Sequence, residues 1–165
     1  GASAPPFLFE RFFGGRGKMG LVEINHTSFT VADVKAAAKW YCDVLGFEMM
    51  SDMHRPADYC EAVTGIPGAA LHIIYVKGGG YPVELIEYTA SKGVKIDTAT
   101  NNIGSAHVAY NVENLHEMYD ELIGKGVNVL SEPVPITQGV NKGGFVIYLE
   151  DPDGNTFEFI ERPKG

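Results

Sequence analysis

The sequence predicts an α+β protein built from two tandem βαβββ modules that form curved mixed sheets. Three observations lead to this class. The order strand, helix, strand, strand, strand occurs twice along the chain; apolar residues alternate in the strands and recur at helical spacing in the helices; and a polar stretch without periodicity separates the halves. We therefore expect a single domain over 21–162, divided into 21–88, a linker 89–103 and 104–162. Residues 1–20 are interpreted as an N-terminal extension or a non-native remnant.

The first module contains four predicted strands and one long helix. The alternating, β-branched segment 21–31 predicts the first strand. Asp33 is placed to cap the following helix, and Gly46 is placed to end it. The stretch HRPADYCEAVTGIPG reads as a connection with a short helix. The other predicted strands of this module are 47–53, 69–76 and 82–88.

The second module repeats this order with different loops. The segment GSAHVAYNV at 104–112 predicts a strand, and VENLHEMYDELIGKG predicts an amphipathic helix that ends at its glycines. A short strand VNVL and a proline-rich loop follow. The turn DPDGN between the predicted strands 143–150 and 156–162 is a strong hairpin signal.

Composition and charge limit the classes of function. The 165 residues are 45% hydrophobic, which is usual for a globular protein. No stretch approaches the roughly 18–20 consecutive apolar residues that a membrane-spanning helix needs. The net charge of −8 disfavours nucleic-acid binding, because an acidic surface repels phosphates. We expect a cytoplasmic protein that binds a small molecule and neither nucleic acid nor a membrane.

Each module carries one His in its first strand and one Glu in its last strand. His26 and His107 are 81 residues apart, and Glu84 and Glu158 are 74 residues apart. A carboxylate on the inner face of a half-buried strand is costly unless it is paired or bound to a metal. Two imidazoles and two carboxylates suit one divalent ion, namely Ni, Co, Zn, Mn or Fe(II), and leave coordination positions open for substrate.

Strand parity alone does not decide which Glu of each strand faces inward. Glu84 and Glu87 point to opposite faces of one strand, and so do Glu158 and Glu161. We expect the outward Glu of each pair to be a solvated charge. The remaining histidines have no equivalent in the other module and are weaker candidates: His54, His72 and His116.

Four segments of the chain carry a family resemblance: INHTSFTVADVKAAAKWYCDVLGFEM, PVELIEY, IGSAHVAYNVENL and FVIYLEDPDGNTFEFIE. They resemble the vicinal oxygen chelate superfamily, which includes glyoxalase I, methylmalonyl-CoA epimerase, fosfomycin-resistance proteins, bleomycin-binding proteins and extradiol dioxygenases. The resemblance covers about residues 21–162 and implies a glyoxalase-like fold. It also implies four metal ligands: His26, Glu84, His107 and Glu158.

The resemblance implies a lyase or isomerase of the glyoxalase I type as the leading function. Such an enzyme transfers a proton next to a carbonyl or enediolate that the metal chelates, and Glu158 or Glu84 would be the base. An Fe(II)-dependent dioxygenase of the extradiol type is the alternative. Tyr148 matches a pocket tyrosine of that branch, whereas Glu84 as a fourth ligand does not fit it. A non-enzymatic binding or resistance protein is the third hypothesis.

The expected glutathione contact is missing from the first strand. Bacterial glyoxalase I, which this chain resembles, carries an Arg a few residues after the first ligand His, and here that stretch reads TSFTV. The stretch HRPADYCEAVTGIPG is a candidate substrate-covering loop. Arg55, Tyr59 or Lys142 would then hold an anionic group, with an ordinary surface role as the alternative for each. The resemblance further implies a homodimer and leaves open whether the metal site forms within one chain or between two.

Overall fold

A computed structural model of the protein describes residues 20–164. The prediction for residues 1–20 therefore lies outside the described residues, apart from Gly20. The described part forms three helices and two mixed sheets, which confirms the predicted α+β class with two tandem modules. Among residues 20–164, no helix is long and apolar enough to cross a membrane. The exact division into a linker and two modules stays a prediction.

The first sheet contains four strands in the order β1-β4-β3-β2. Strand β1 is parallel to β4, and the other neighbours are antiparallel. The short helix predicted between the second and third strands is present as α2. The elements of this module are β1 (Thr27–Thr30), α1 (Val34–Leu45), β2 (Glu48–Arg55), α2 (Ala57–Thr64), β3 (Ala70–Gly78) and β4 (Tyr81–Ala90).

The second sheet repeats this topology in the order β5-β9-β8-β6, with the short strand β7 also paired to β8. Strand β5 is parallel to β9, as β1 is to β4. Helix α2 has no counterpart here. The elements of this module are β5 (His107–Val112), α3 (Leu115–Gly124), β6 (Asn128–Val129), β7 (Val134–Pro135), β8 (Phe145–Glu150) and β9 (Thr156–Glu161).

The first strand of each module is shorter than predicted. The predicted strand 21–31 is reduced to Thr27–Thr30, because the neighbouring strand β4 carries Pro82, which has no N–H to extend the ladder beyond the pair of Thr27 and Val83. The predicted strand 104–112 begins only at His107. His26 therefore lies one residue before β1, and His107 is the first residue of β5.

Glu87 in β4 and Glu161 in β9 were predicted to be solvated charges, but both accept hydrogen bonds from the protein. Oε2 of Glu87 accepts a hydrogen bond of 3.2 Å from the backbone N–H of Val34, and Oε2 of Glu161 accepts one of 2.7 Å from Leu115. Val34 and Leu115 are the first residues of α1 and α3. A carboxylate at this position satisfies an N–H that has no partner within the helix and interacts favourably with the helix dipole. Each Glu therefore ties a helix start to the last strand of its module.

The two sheets share one hydrophobic core. We call the sheet surfaces that face this core the helix faces; they carry Phe29, Val83, Leu85, Ile147, Phe157 and Phe159. The ring centroids of Phe29 and Phe157 are 5.4 Å apart, which joins the two sheets directly. We call the opposite surface of each sheet its site face.

A buried hydrogen bond fastens helix α1 to the DPDGN turn. The fully buried Tyr41 donates its hydroxyl to Oδ2 of Asp151 at 2.8 Å. Burial, followed by the charge of Asp151, raises the pKa of Tyr41 well above its ordinary value, so the phenol stays a donor. Asp151 also accepts backbone N–H groups of Asp153 and Asn155.

We expect Tyr41→Phe to lower the free energy of unfolding by about 1–2 kcal/mol, because Asp151 loses a buried donor while its other partners remain. Urea unfolding followed by circular dichroism measures this change. Tyr119→Phe, at a partly exposed tyrosine of α3, is the matched control and should be close to wild type. Equal stability of the two variants would contradict the assigned role of the Tyr41 hydroxyl.

Candidate metal centre

The first pair of predicted ligands meets on the site face of the first sheet. Nε2 of His26 lies 3.2 Å from Oε2 of Glu84. Nδ1 of His26 lies 2.7 Å from Oδ1 of Asn25, an oxygen that only accepts, so Nδ1 carries the proton. In the neutral ring, Nε2 is then the nitrogen with a free lone pair, and it is the nitrogen that faces the carboxylate. An imidazole nitrogen and a carboxylate oxygen on one side of a site are donors that suit a divalent metal.

Tyr75 completes the first half-site, by which we mean His26, Tyr75 and Glu84. Tyr75 is the cross-strand partner of Glu84 and donates its hydroxyl to Oε1 of that residue at 2.6 Å. Burial and the neighbouring Glu84 raise the pKa of Tyr75 to about 12. The phenol therefore remains a donor at neutral pH, and both oxygens of Glu84 face a partner.

The second pair repeats the geometry of the first. Nε2 of His107 lies 3.2 Å from Oε2 of Glu158, the same atoms at the same separation. Tyr148 is the cross-strand partner of Glu158, and its ring centroid lies 5.2 Å from that of His107. We call His107, Tyr148 and Glu158 the second half-site. Burial and then Glu158 raise the pKa of Tyr148, but its hydroxyl makes no hydrogen bond to Glu158 corresponding to the one from Tyr75.

Strand alternation explains why the first Glu of each strand reaches the site. Val83 and Leu85 are fully buried on the helix face, so Glu84 between them points to the site face. Phe157 and Phe159 place Glu158 in the same way. In both sheets, therefore, the first Glu of the last strand faces the half-site, and the second Glu points to the helix face.

The four predicted ligands form two pairs and do not converge within one chain. Residues 20–164 contain no group of three or more His, Cys, Asp or Glu side chains that could hold a metal ion. A catalytic divalent site uses three or more protein ligands, whereas each half-site supplies two donors. The four-residue metal site therefore stays a prediction, and one chain presents it as two separate halves.

Tyr75 is the site residue that the sequence reading missed. Its counterpart Tyr148 was singled out, ten residues before Glu158, and Tyr75 stands nine residues before Glu84. Comparing the two hairpins as repeats would have revealed the match. The pairing of Tyr75 with Glu84 depends on the register across the turn at Gly79 and Gly80, which the sequence does not specify.

The remaining histidines lie outside the half-sites. His72 is the cross-strand partner of Glu87 and so belongs to the helix face of the first sheet. There it lies 2.6 Å from Oδ1 of Asp52 and stacks on His54, with ring centroids 4.0 Å apart. His116 packs edge-on against Phe145.

Helix α2 covers part of the site face beside the first half-site. Its Cys60 is fully buried against Leu71 and Ile73, and Tyr75 packs against the same cluster. Arg55, the last residue of β2, places its guanidinium carbon 5.9 Å from the ring centroid of Tyr59 on α2. Of the three candidates for holding an anionic group, these two lie together. The third, Lys142, lies in the loop between β7 and β8.

Two clefts in the described chain lie apart from the predicted ligands. One of about 350 Å³ lies between α1 and α3, and Tyr110 lines it. The other, of about 600 Å³, lies between β1 and residues 92–98 of the connection between the modules. None of the four predicted ligands lines either cleft.

The chain belongs to the glyoxalase/bleomycin resistance protein/dioxygenase superfamily, whose family model matches residues 23–159. It is 30% identical over 140 residues to a probable lactoylglutathione lyase from Synechocystis sp., covering 82% of this chain and 92% of that protein. It is 29% identical over 157 residues to a 2-epi-5-epi-valiolone epimerase from Actinomyces sp., covering 92% of this chain and 85% of that protein. Relatives named as lyases and an epimerase support an enzyme of this superfamily.

Solved structures show the same fold at low sequence identity. A glyoxalase family protein from Bacillus cereus has a TM-score of 0.74 and 18% identity, covering 87% of this chain and 96% of that chain. The fosfomycin resistance protein FosX from Listeria monocytogenes has a TM-score of 0.57 and 17% identity, covering 88% of this chain and 94% of that chain. These likenesses concern the fold alone.

We expect Tyr75→Phe to weaken divalent-metal binding by about 10–100-fold, because Glu84 loses the hydrogen bond that orients it. Titration of the protein against a competing chelator with Ni²⁺ or Zn²⁺ measures the affinity. Tyr148→Phe is the matched control, and it should change the affinity less because its hydroxyl does not hold Glu158. Equal losses in the two variants would show that the hydrogen bond from Tyr75 is not what matters.

Proposed function

We propose that the protein is a divalent-metal-dependent lyase or isomerase of the glyoxalase I type, which moves a proton next to a substrate carbonyl. The observation that carries this proposal is the repeated pair of His Nε2 and Glu Oε2 at 3.2 Å, once in each module. The relatives named lactoylglutathione lyase support the reaction class. The divalent ion would polarise the carbonyl and stabilise the negative charge that develops on its oxygen.

We further propose that two chains complete each site, with the first half-site of one chain facing the second half-site of its partner. The helix faces pack against each other in the shared core, so the two site faces of one chain point away from that core. A second copy brings a complementary half-site to each of them. A two-fold dimer then contains two equivalent sites, because an isologous interface repeats every contact.

Exposed apolar residues next to the first half-site support this assembly. Leu21 and Val22 are each 89% exposed and Ile24 is 77% exposed, in the segment that leads to His26. The connection between the modules exposes Val94 and Ile103 as well. Large apolar side chains that a chain leaves exposed are frequent at protein–protein interfaces.

The two carboxylates have unequal environments, which suggests different roles. Glu84 faces His26 with one oxygen and accepts from Tyr75 with the other, and its side chain is 12% exposed. Glu158 meets only His107 among residues 20–164, and its side chain is 20% exposed. We therefore assign Glu158 as the base that accepts the proton from the carbon beside the carbonyl and returns it, with Glu84 as the anchored ligand.

An epimerase is the second candidate within the same chemistry. The 2-epi-5-epi-valiolone epimerase matches 92% of this chain, and no basic residue follows His26 where a glutathione contact would be expected. In an epimerase Glu158 would remove a proton that returns to the opposite face of the same carbon. Tyr148 does not by itself favour the extradiol dioxygenase. The first module has a tyrosine in the equivalent place, since Tyr75 lies beside His26 as Tyr148 lies beside His107.

We expect Glu158→Gln to lower turnover of the hemithioacetal of methylglyoxal and glutathione by at least about 100-fold, because the base is lost. Glu84→Gln should instead release the metal. Turnover is followed by ultraviolet absorbance of the thioester product, and bound metal by elemental analysis. Glu48→Gln on the exposed edge strand is the control. Retention of both turnover and metal in either site variant would contradict the assigned roles.

We expect complementation between two inactive variants. A His26→Ala chain keeps the second half-site and a His107→Ala chain keeps the first, so their heterodimer contains one intact site. Random pairing on co-expression should restore about a quarter of wild-type activity and metal content. Differently tagged chains allow the heterodimer to be purified and confirmed. Heterodimers as inactive as either parent, or a wild-type protein that sediments as a monomer, would refute assembly of the site between chains.

A further inference from the structure

The two predicted ligand histidines differ at Nδ1, the ring nitrogen that does not face the glutamate. Both present Nε2 to a glutamate oxygen at 3.2 Å, His26 to Glu84 and His107 to Glu158. Nδ1 of His26 lies 2.7 Å from Oδ1 of Asn25. Within residues 20–164, the ring of His107 has Glu158 as its only hydrogen-bond partner. The two rings are therefore alike on the side of the glutamate and unlike on the other side.

The hydrogen bonds of each ring decide which of its two nitrogens carries the single proton of a neutral imidazole. In His26 the shorter contact is at Nδ1, 2.7 Å against 3.2 Å at Nε2, and the Asn25 oxygen can only accept. The proton of His26 therefore lies on Nδ1. In His107 the one acceptor lies beside Nε2, so the neutral ring carries its proton there and donates it to Glu158.

The residue that precedes each histidine accounts for this difference. Asn25 supplies an accepting oxygen to His26, whereas the equivalent residue before His107 is Ala106, whose side chain has no acceptor. Asn25 precedes β1 and is exposed, so the packing of the sheet does not depend on its side chain. The sequence thus provides an acceptor for Nδ1 in the first module and none at the matching position of the second.

Opposite tautomers have different consequences for a cation. A metal binds an imidazole through a nitrogen lone pair, which is free at Nε2 of His26 and taken by the proton at Nε2 of His107. To bind through Nε2, His107 has to release that proton to water and take one from water at Nδ1. This exchange involves no net gain or loss of protons. His26 needs no such exchange.

The carboxylate of the first half-site is held in a corresponding way. Oε1 of Glu84 accepts the hydroxyl of Tyr75 at 2.6 Å, which leaves Oε2 beside His26. The ring of Tyr75 also packs edge-on against His26, with 5.4 Å between centroids and 85° between planes. Each donor of the first half-site is thus oriented through its other polar atom, an arrangement that strengthens metal binding in proteins.

We propose that Asn25 is a positioning residue that keeps the proton of His26 on Nδ1, while His107 carries its proton on Nε2 in the metal-free protein. The first half-site is then prepared for a divalent ion, and the second binds it only after its histidine has changed tautomer. This inference rests on the proposed function for the metal. It adds that the two halves contribute unequally to metal affinity, and the tautomers can be measured without any metal.

Long-range proton–nitrogen spectra of the metal-free protein measure the tautomer of each ring, at an alkaline pH where an ordinary imidazole is neutral. His26→Ala and His107→Ala assign the signals by their loss. We expect the wild-type proton on Nδ1 of His26 and on Nε2 of His107. Asn25→Ala should move the His26 proton to Nε2, and Asn25→Asp, which keeps an accepting oxygen, should retain it on Nδ1. Ala106→Asn should move the His107 proton towards Nδ1.

Two outcomes of these spectra would overturn the inference: a wild-type protein in which both histidines have the same tautomer, or a His26 tautomer that Asn25→Ala leaves unchanged. Asn101→Ala is the matched control, because it removes an exposed asparagine from the connection between the modules. It should leave both tautomers as in wild type.

Metal affinity provides the second measurement, by competition for Zn²⁺ against a chelator. Asn25→Ala should weaken binding about 10-fold, at the low end for such partners of a ligand histidine because Asn25 is exposed. Asn25→Asp should bind at least as tightly as wild type, and Ala106→Asn should bind more tightly because a larger fraction of His107 is ready for the ion. Equal affinities of wild type and Asn25→Ala would contradict the positioning role. If wild type binds no divalent ion, the proposed function fails, and that result is separate from the tautomers that judge Asn25.

Discussion

The helix faces of the two sheets bury their apolar side chains in one shared core, where Phe29 of the first sheet meets Phe157 of the second. Because successive side chains of a strand point to opposite faces, this burial directs Glu84 and Glu158 to the outer surfaces. The same packing that stabilises the chain therefore separates the two half-sites. A chain folded in this way presents two separate half-sites, and under the proposed function a second copy is the simplest partner that completes them.

The sequence was sufficient to predict what depends on local pattern and repetition. The two-module order, the helix signals Asp33 and Gly46, and the recurring His and Glu all follow from spacing. Strand register and hydrogen bonds between distant residues are harder to predict from the sequence. The pairing of Tyr75 with Glu84 depends on how β3 and β4 align, and the hydrogen bond that Glu87 accepts from Val34 joins residues 53 positions apart.

Repetition also explains where the prediction of the site was incomplete. The resemblance implied four ligands as one set. No local sequence pattern indicates whether those four ligands come from one chain or from two. The two half-sites have the same His–Glu separation and a Tyr in the same cross-strand position. Two hydrogen bonds of the first half-site have no counterpart in the second module, one between His26 and Asn25 and one from Tyr75 to Glu84. Under the proposed function, the bond from Tyr75 keeps Glu84 fixed while Glu158 is free to move.

The hydrogen bonds that Glu87 and Glu161 accept from the first helix residues couple each half-site to the interior of its module. In β4 and again in β9, the carboxylate that faces the site and the carboxylate that receives a helix's first N–H are three residues apart on the same strand. Any sliding of that strand moves both carboxylates together. A displacement of Glu84 or Glu158 larger than a side-chain rotation would therefore have to carry α1 or α3 with it, so rearrangement on the outer surface is confined to side chains.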